Sequence, residues 1–201
     1  MRDIQKRFNK ITEIFASKEF MQNKTQGGEL GFYIFDYDPE DELIVRDFTK
    51  NLLNNYDFSG SEIKLIELDL YKLIIEILEA EKAGNKSILD LTLDMEAKDG
   101  TARLEKGLKA VVTPAKFIKL IENKLQDHNI IFITGVGKAW PLVRSHTILN
   151  NLQPVLDKIP VIIFYPGAYD QKDLRLFKGR TFSGTKDDNY YRAFKLVEDN
   201  L

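Results

Sequence analysis

The strongest constraint on how this 201-residue chain can fold is an abrupt change of pattern at Thr134. Ile130-Ile131-Phe132-Ile133-Thr134 is β-branched and aromatic, with no charge. Gly135-Val136-Gly137 cuts it off, and a helix-like pattern opens behind Trp140-Pro141, through Leu142-Val143-Arg144-Ser145-His146. A run so short and apolar, bounded by glycine, reads as a strand covered on both faces. A buried strand that passes directly into a helix belongs to an α/β fold, where sites gather beyond the carboxyl ends of the strands.

The rest of the chain repeats that alternation. Leu30 to Phe35, ending at Asp36-Tyr37-Asp38-Pro39, reads as the first strand. Ile63 to Asp69 is a second, with charges that place it near a sheet edge, and the charge-free run Val161 to Tyr165, ending at Pro166-Gly167, joins 130–134 at the centre. A short strand is expected around Leu174 to Phe177. Residues 3–21 form an amphipathic helix, with Ile4, Phe8, Ile11 and Phe15 on one face and Lys6, Arg7, Lys10 and Glu13 around the other. Packing onto its own domain explains that stripe without a membrane or partner anchor.

Asp38 is a good N-cap for a helix starting at Pro39, whose first turn carries Glu40, Asp41 and Glu42. That helix runs to about Asn55, with Ile44, Phe48, Leu52 and Tyr56 inward. Further helices are expected from Tyr71 to about Glu81, from Pro114 to near Asp127, and from about Pro141 to Leu156. Gly84, Gly100 and Gly107 punctuate residues 83–113, read as a helical insertion rather than a second domain. The expected architecture is a single three-layer α/β domain over residues 1–201, with a mostly parallel central sheet of about five strands and flanking helices. It is Rossmann-like or P-loop-like without the phosphate loop.

Composition narrows the chemistry. With no cysteine, disulfides, thiolate metal sites and cysteine nucleophiles are excluded, and His128 and His146 alone cannot build a histidine-rich metal centre. Lysine plus arginine (29) nearly balance aspartate plus glutamate (31), which does not suit a dedicated nucleic-acid-coating protein. The N-terminus lacks the apolar core of a signal peptide, and no apolar run approaches the length needed to cross a bilayer. A cytoplasmic protein with no membrane contact is expected.

Tested one at a time, the motifs favour plain readings. Gly135-Val136-Gly137-Lys138 resembles a phosphate cradle, but Lys138 follows too soon, Ala139 replaces the hydroxyl residue and Trp140 stands at the third glycine of the dinucleotide fingerprint. A tight turn needing glycine suffices, with simple anion or partner contact still open. Gly135, Gly137, Arg144 and His146 are the candidates for cofactor contact, although no cofactor is expected. Ser145 and His146 project about 100° apart on a helix, so they do not form a nucleophile–base pair. No catalytic residue is assigned. Asp36, Asp38 and Asp69 follow parallel strands, and clustered carboxylates there can hold Mg²⁺. Asp38 and Asp69 are explained equally well as helix caps, which leaves Asp36 and Asp69 as weak metal candidates. Tyr165, Pro166, Gly167 and Tyr169, with Tyr190, Tyr191 and Arg192, form aromatic and arginine clusters outside regular strands. They are partner-binding candidates, or equally a local lid on the sheet.

Four blocks carry a resemblance: Thr134 to Gly137; Arg144-Ser145-His146 with Leu149-Asn150-Asn151-Leu152; Phe164-Tyr165-Pro166-Gly167 with Tyr169; and Leu174 to Phe177 before Asn189 to Phe194. In order and spacing the chain resembles the BrxB family, the small B subunit of the BREX bacteriophage-exclusion systems. Leu68-Asp69-Leu70-Tyr71 is compatible with it in the N-terminal half. The resemblance implies a role and no reaction. BREX loci also encode a DNA methyltransferase, an alkaline-phosphatase-like protein and a large ATPase, and they methylate host DNA and block phage replication. A non-catalytic adaptor contacting other subunits, especially the phosphatase-like one, is therefore the expectation, with DNA reached only through the complex. Two alternatives stand beside it. One is a cryptic nucleotide- or metal-dependent enzyme using the strand-end rim of Asp36, Asp69, Gly135, Arg144 and His146. The other is a DNA-contacting accessory subunit using the basic residues between Arg175 and Arg192.

Overall fold

The computed structural model describes residues 3–15, 17, 20, 31–55, 64–101, 104–125, 130–152, 154–156, 159–171, 174–177 and 193–198. Five strands run parallel: β1 (Phe32–Tyr37), β2 (Leu65–Asp69), β5 (Ile130–Thr134), β6 (Val161–Tyr169) and β8 (Phe194–Lys195), in the order β2-β5-β6-β1-β8. The short β7 (Leu174–Leu176) turns back antiparallel on the end of β6. The charge-free strands β5 and β6 are central and buried, and β2 lies at one edge, as their sequences require.

Strand alternation sorts the core into two layers. On one face Phe35, Tyr37, Phe132 and Phe164 pack under α1 (Ile4–Phe15) and α2 (Glu42–Asn55). That face is aromatic from side to side. Phe15 meets Phe132, Phe132 meets Phe164 edge-on at 5.2 Å, Phe164 meets Phe35, and Phe8 stacks on Phe48 at 3.9 Å. On the other face Ile131, Ile133, Val161 and Ile163 pack with α3 (Leu70–Ala80), α6 (Pro114–Lys124), α7 (Val136–Ala139) and α8 (Ser145–Leu152). The result is helices, sheet and helices in three layers, as expected.

Residues 82–111 begin with a β-hairpin, β3 (Lys82–Ala83) and β4 (Lys86–Ser87), in which Gly84 takes φ +65°. The hairpin was not foreseen. Ser87 and Asp90 then close a capping box on α4 (Ile88–Asp99), and α5 (Leu104–Val111) follows. Only the first turns of α4 lean on the body; its second half is exposed all round.

Three other expectations are corrected. The segment 141–156 is not one helix: α7 ends at Ala139, Trp140–Pro141 is a cis peptide, and α8 starts at Ser145. Val45 and Thr49, not Ile44, face the core from α2; Ile44 is 48% exposed. Pro39–Asp41 forms a 3₁₀ turn capped by Asp38, so the α-helix starts at Glu42, while Phe48 and Leu52 face the core as expected. Arg7, expected on the solvent face of α1, is 1% exposed. Tyr56 lies outside the described residues.

Candidate functional site

A crevice of about 430 Å³ opens between α2 and the carboxyl ends of β2 and β5. The chain after β1 leaves the sheet on one face, as α2, while the chains after β2 and β5 leave on the other, as α3 and α7. Diverging connections of this kind are what open ligand crevices in α/β sheets. The strand order differs from the 3-2-1-4-5-6 order of dinucleotide-binding sheets.

The floor of the crevice explains the glycine turn. Asp69, the last residue of β2, is buried; its Oδ1 accepts from the backbone N–H groups of Tyr71 (3.0 Å) and Lys72 (3.3 Å), capping α3. Asp69 pairs with Thr134 across the β2–β5 ladder, which brings the next residue, Gly135, against its carboxylate. Gly135 sits at φ +71°, and a Cβ there would collide with Asp69 Oδ1. Two constraints, one conformational and one steric, thus select glycine. The Lys138 ammonium folds back from α7 onto Asp69 Oδ2 and lies 5.9 Å from the centre of the exposed Tyr71 ring. Gly137 is helical and answers to packing alone: a Cβ would lie 2.9 Å from the Phe177 ring and 3.2 Å from Pro166.

The other carboxylates of the lining are paired as well. Thr134 Oγ1 donates to Glu67 Oε1 at 2.7 Å, and Lys72 approaches the other Glu67 oxygen at 3.9 Å. Arg46 holds Glu42 at 2.8 Å, while the Tyr37 hydroxyl donates to the same carboxylate. Burial, and then the Glu42 hydrogen bond and charge, push the Tyr37 hydroxyl far above the usual phenol range. Every carboxylate lining the crevice already has a cation or hydroxyl partner, and Lys50 adds a further cation to the lining. An anion bound at Lys138 would have to compete with Asp69.

The two strand-end aspartates are not brought together. Asp36, 0% exposed, is enclosed between α1 and the sheet. Arg7 donates to its backbone oxygen and, at 3.1 Å, to Oδ1, and reaches the Val197 carbonyl at 3.2 Å. On its other side Asp36 Oδ2 accepts the Tyr169 N–H at 3.1 Å and faces the Lys195 ammonium at 3.5 Å. Phe35 lies under the Arg7 guanidinium, 4.5 Å away. This cluster ties α1, β1, β6 and β8 together. A charged residue signals solvent in the sequence, yet Arg7 lies three residues from Ile4 and four from Ile11, in phase with the apolar stripe. Among the described residues no group of three or more histidines or carboxylates is placed to hold a metal ion.

The segment Tyr165–Tyr169 does not lie outside regular structure, as expected from its proline and glycine; β6 runs through it. Pro166 is accommodated there, with Phe177 N–H donating to its carbonyl at 3.0 Å. A Cβ on Gly167 would strike the Arg175 carbonyl of β7, so that glycine permits the hairpin. Tyr165 and Tyr169 are buried, and the Tyr169 hydroxyl donates to the Ala193 carbonyl at 2.7 Å. Arg144 is exposed beside a different cavity, on the side of α6 and α8. Arg175 pairs with Asp170 at 2.9 Å. Tyr190, Tyr191, Arg192, His128 and the side chain of His146 lie outside the described residues.

Comparison with known proteins gives a consistent result. Residues 66–196 match the family described as BREX protein BrxB. The chain is 40% identical to a BREX protein BrxB of Bacillus cereus (strain H3081.97), over 98% of this chain and 100% of that one. It is 33% identical to a BREX protein BrxB of Escherichia coli O9:H4 (strain HS), over 98% of this chain and 92% of that one. No solved structure matches.

Proposed function

The chain belongs to the BrxB family of BREX proteins, and from that premise we propose that it is a non-catalytic adaptor in phage exclusion. It holds other BREX subunits together, with the alkaline-phosphatase-like subunit as the expected partner. The family supplies the part in phage defence. The adaptor reading is supported by one observation above all: the protein's own Asp69 carboxylate lies against the glycine turn that would cradle a phosphate, and it already engages Lys138. Backbone N–H groups at a helix start attract anions, and here the cap of α3 takes that role from within. Among the described residues, no helix is long and apolar enough to cross a membrane.

Co-expression with the phosphatase-like subunit, followed by size exclusion at micromolar concentration, tests the reading. A shared peak is expected, and separate elution overturns it. The crevice of about 430 Å³ favours a second reading, a nucleotide or Mg²⁺ site at the strand ends. A rise in melting temperature with either ligand, lost in Lys138→Ala, would establish that reading instead.

A further inference from the structure

A second cavity, of about 320 Å³, opens between α5, α6 and the chain linking α7 to α8. Val112, Phe117 and Val143 form its buried apolar floor, with Leu142 partly buried beside them. The charged residues lining it, Lys109 and Arg144, are both cations. They differ in one respect. Lys109 holds Glu105 one turn back on α5, whereas no carboxylate among the described residues pairs with the exposed Arg144.

The local sequence produces this arrangement. The break between α7 and α8 turns Val143 into the core and leaves Arg144 at the mouth, immediately before Ser145 starts the next helix. A guanidinium is a rigid, permanently charged fork that fits a carboxylate bidentately.

We propose that this pocket receives an acidic segment of a partner protein, with one bulky aliphatic or aromatic side chain in the cavity and a neighbouring Asp or Glu on Arg144. This deepens the adaptor reading and rests on it for the identity of the partner. The volume lies at the small end for ligand pockets and suits a side-chain anchor. An apolar centre with a charged rim is the composition of an interface hot spot. A nucleic-acid backbone would call for a longer cationic track and no apolar floor.

Two arms test the proposal. In the first, Arg144→Glu is compared with Lys82→Glu, an exposed control on β3, for co-elution with the phosphatase-like subunit. Arg144→Glu should weaken association by at least roughly tenfold while the control leaves it unchanged. In the second, amide resonances of the protein alone are followed while the peptide acetyl-Asp-Glu-Leu-Phe-Asp-Glu-amide is added. Shifts are expected at Phe117, Val143 and Thr147, absent with the counterpart bearing lysines for the acids and weakened at least roughly tenfold by Arg144→Glu. If the wild-type chain co-elutes and Arg144→Glu does so equally well, the pocket is not the docking point, while the adaptor reading stands. If the wild-type chain elutes alone, the adaptor reading falls and the peptide decides the pocket. No shift at millimolar acidic peptide, equal binding of both peptides, or a dimer abolished by Arg144→Glu each overturns the proposal.

Discussion

Asp36 and Asp69 occupy equivalent places, each near or at the carboxyl end of a parallel strand with a helical turn close behind, yet they do opposite things. Asp36 is sealed under α1, where Arg7, Lys195 and the Tyr169 N–H satisfy it, and it joins the two ends of the described chain to the sheet. Asp69 stays at the wall of a crevice, where it caps α3 and holds one lysine that is partly exposed. What differs is the cover. A helix carrying a buried arginine packs over the first, whereas the second meets the start of α3 and the short α7. A strand-end carboxylate is thus a structural fastener or a rim group according to what packs on it, and neither fate requires a metal.

The sharpest way to break the contrast is Asp36→Asn. It keeps the shape but removes the buried charge that Arg7 and Lys195 share, so urea denaturation should show a loss of about 3–5 kcal/mol. A loss below about 1 kcal/mol would mean that the cluster is no fastener. Gly135→Ala should cost about 2 kcal/mol, from the left-handed backbone and the clash with Asp69. In an Asp69→Ala background the clash is gone and only the backbone strain remains, so a double-mutant cycle should show coupling of about 1 kcal/mol. Additive losses would show that the carboxylate does not select the glycine.

The smallest effect is alkaline. Burial, with help from the Asp170 charge, raises the Tyr169 hydroxyl to about 12. The unfolded chain loses that proton from about pH 10, before the folded chain does, so stability present below pH 10 declines as the pH rises towards 12. Tyr37 is shifted in the same direction and adds to the decline at higher pH. Tyr169→Phe should flatten part of the slope in a series of denaturation midpoints. An unchanged slope would place the Tyr169 hydroxyl in water.

The legible parts of the sequence were those where one local rule dominates. Charge-free β5 and β6 could only be central, Leu73, Ile74, Ile77 and Leu78 follow a 3.6-residue period into the core, and Asp38 and Asp69 have the right chemistry and place for caps. Errors arose where two rules compete. Pro166 and Gly167 signal a strand end, but pairing with β7 on one side and β1 on the other carries β6 through them. Arg7 carries a charge that signals solvent, yet its helical phase points inward to a carboxylate twenty-nine residues away. Pro141 suggested a helix start, whereas the chain needs a further turn to reach Ser145.

By itself, then, the sequence determined the α/β class, the central strands, the caps and the family, because these follow from periodicity, propensity and motif order within short windows. Only the tertiary structure decided what each polar group does. The pairing of β2 with β5 sets Asp69 against Gly135, the packing of α1 sets Arg7 on Asp36, and the break before α8 leaves Arg144 exposed beside an apolar floor. The energy of a charge depends on which distant groups surround it and how much water is excluded, and no local pattern encodes that.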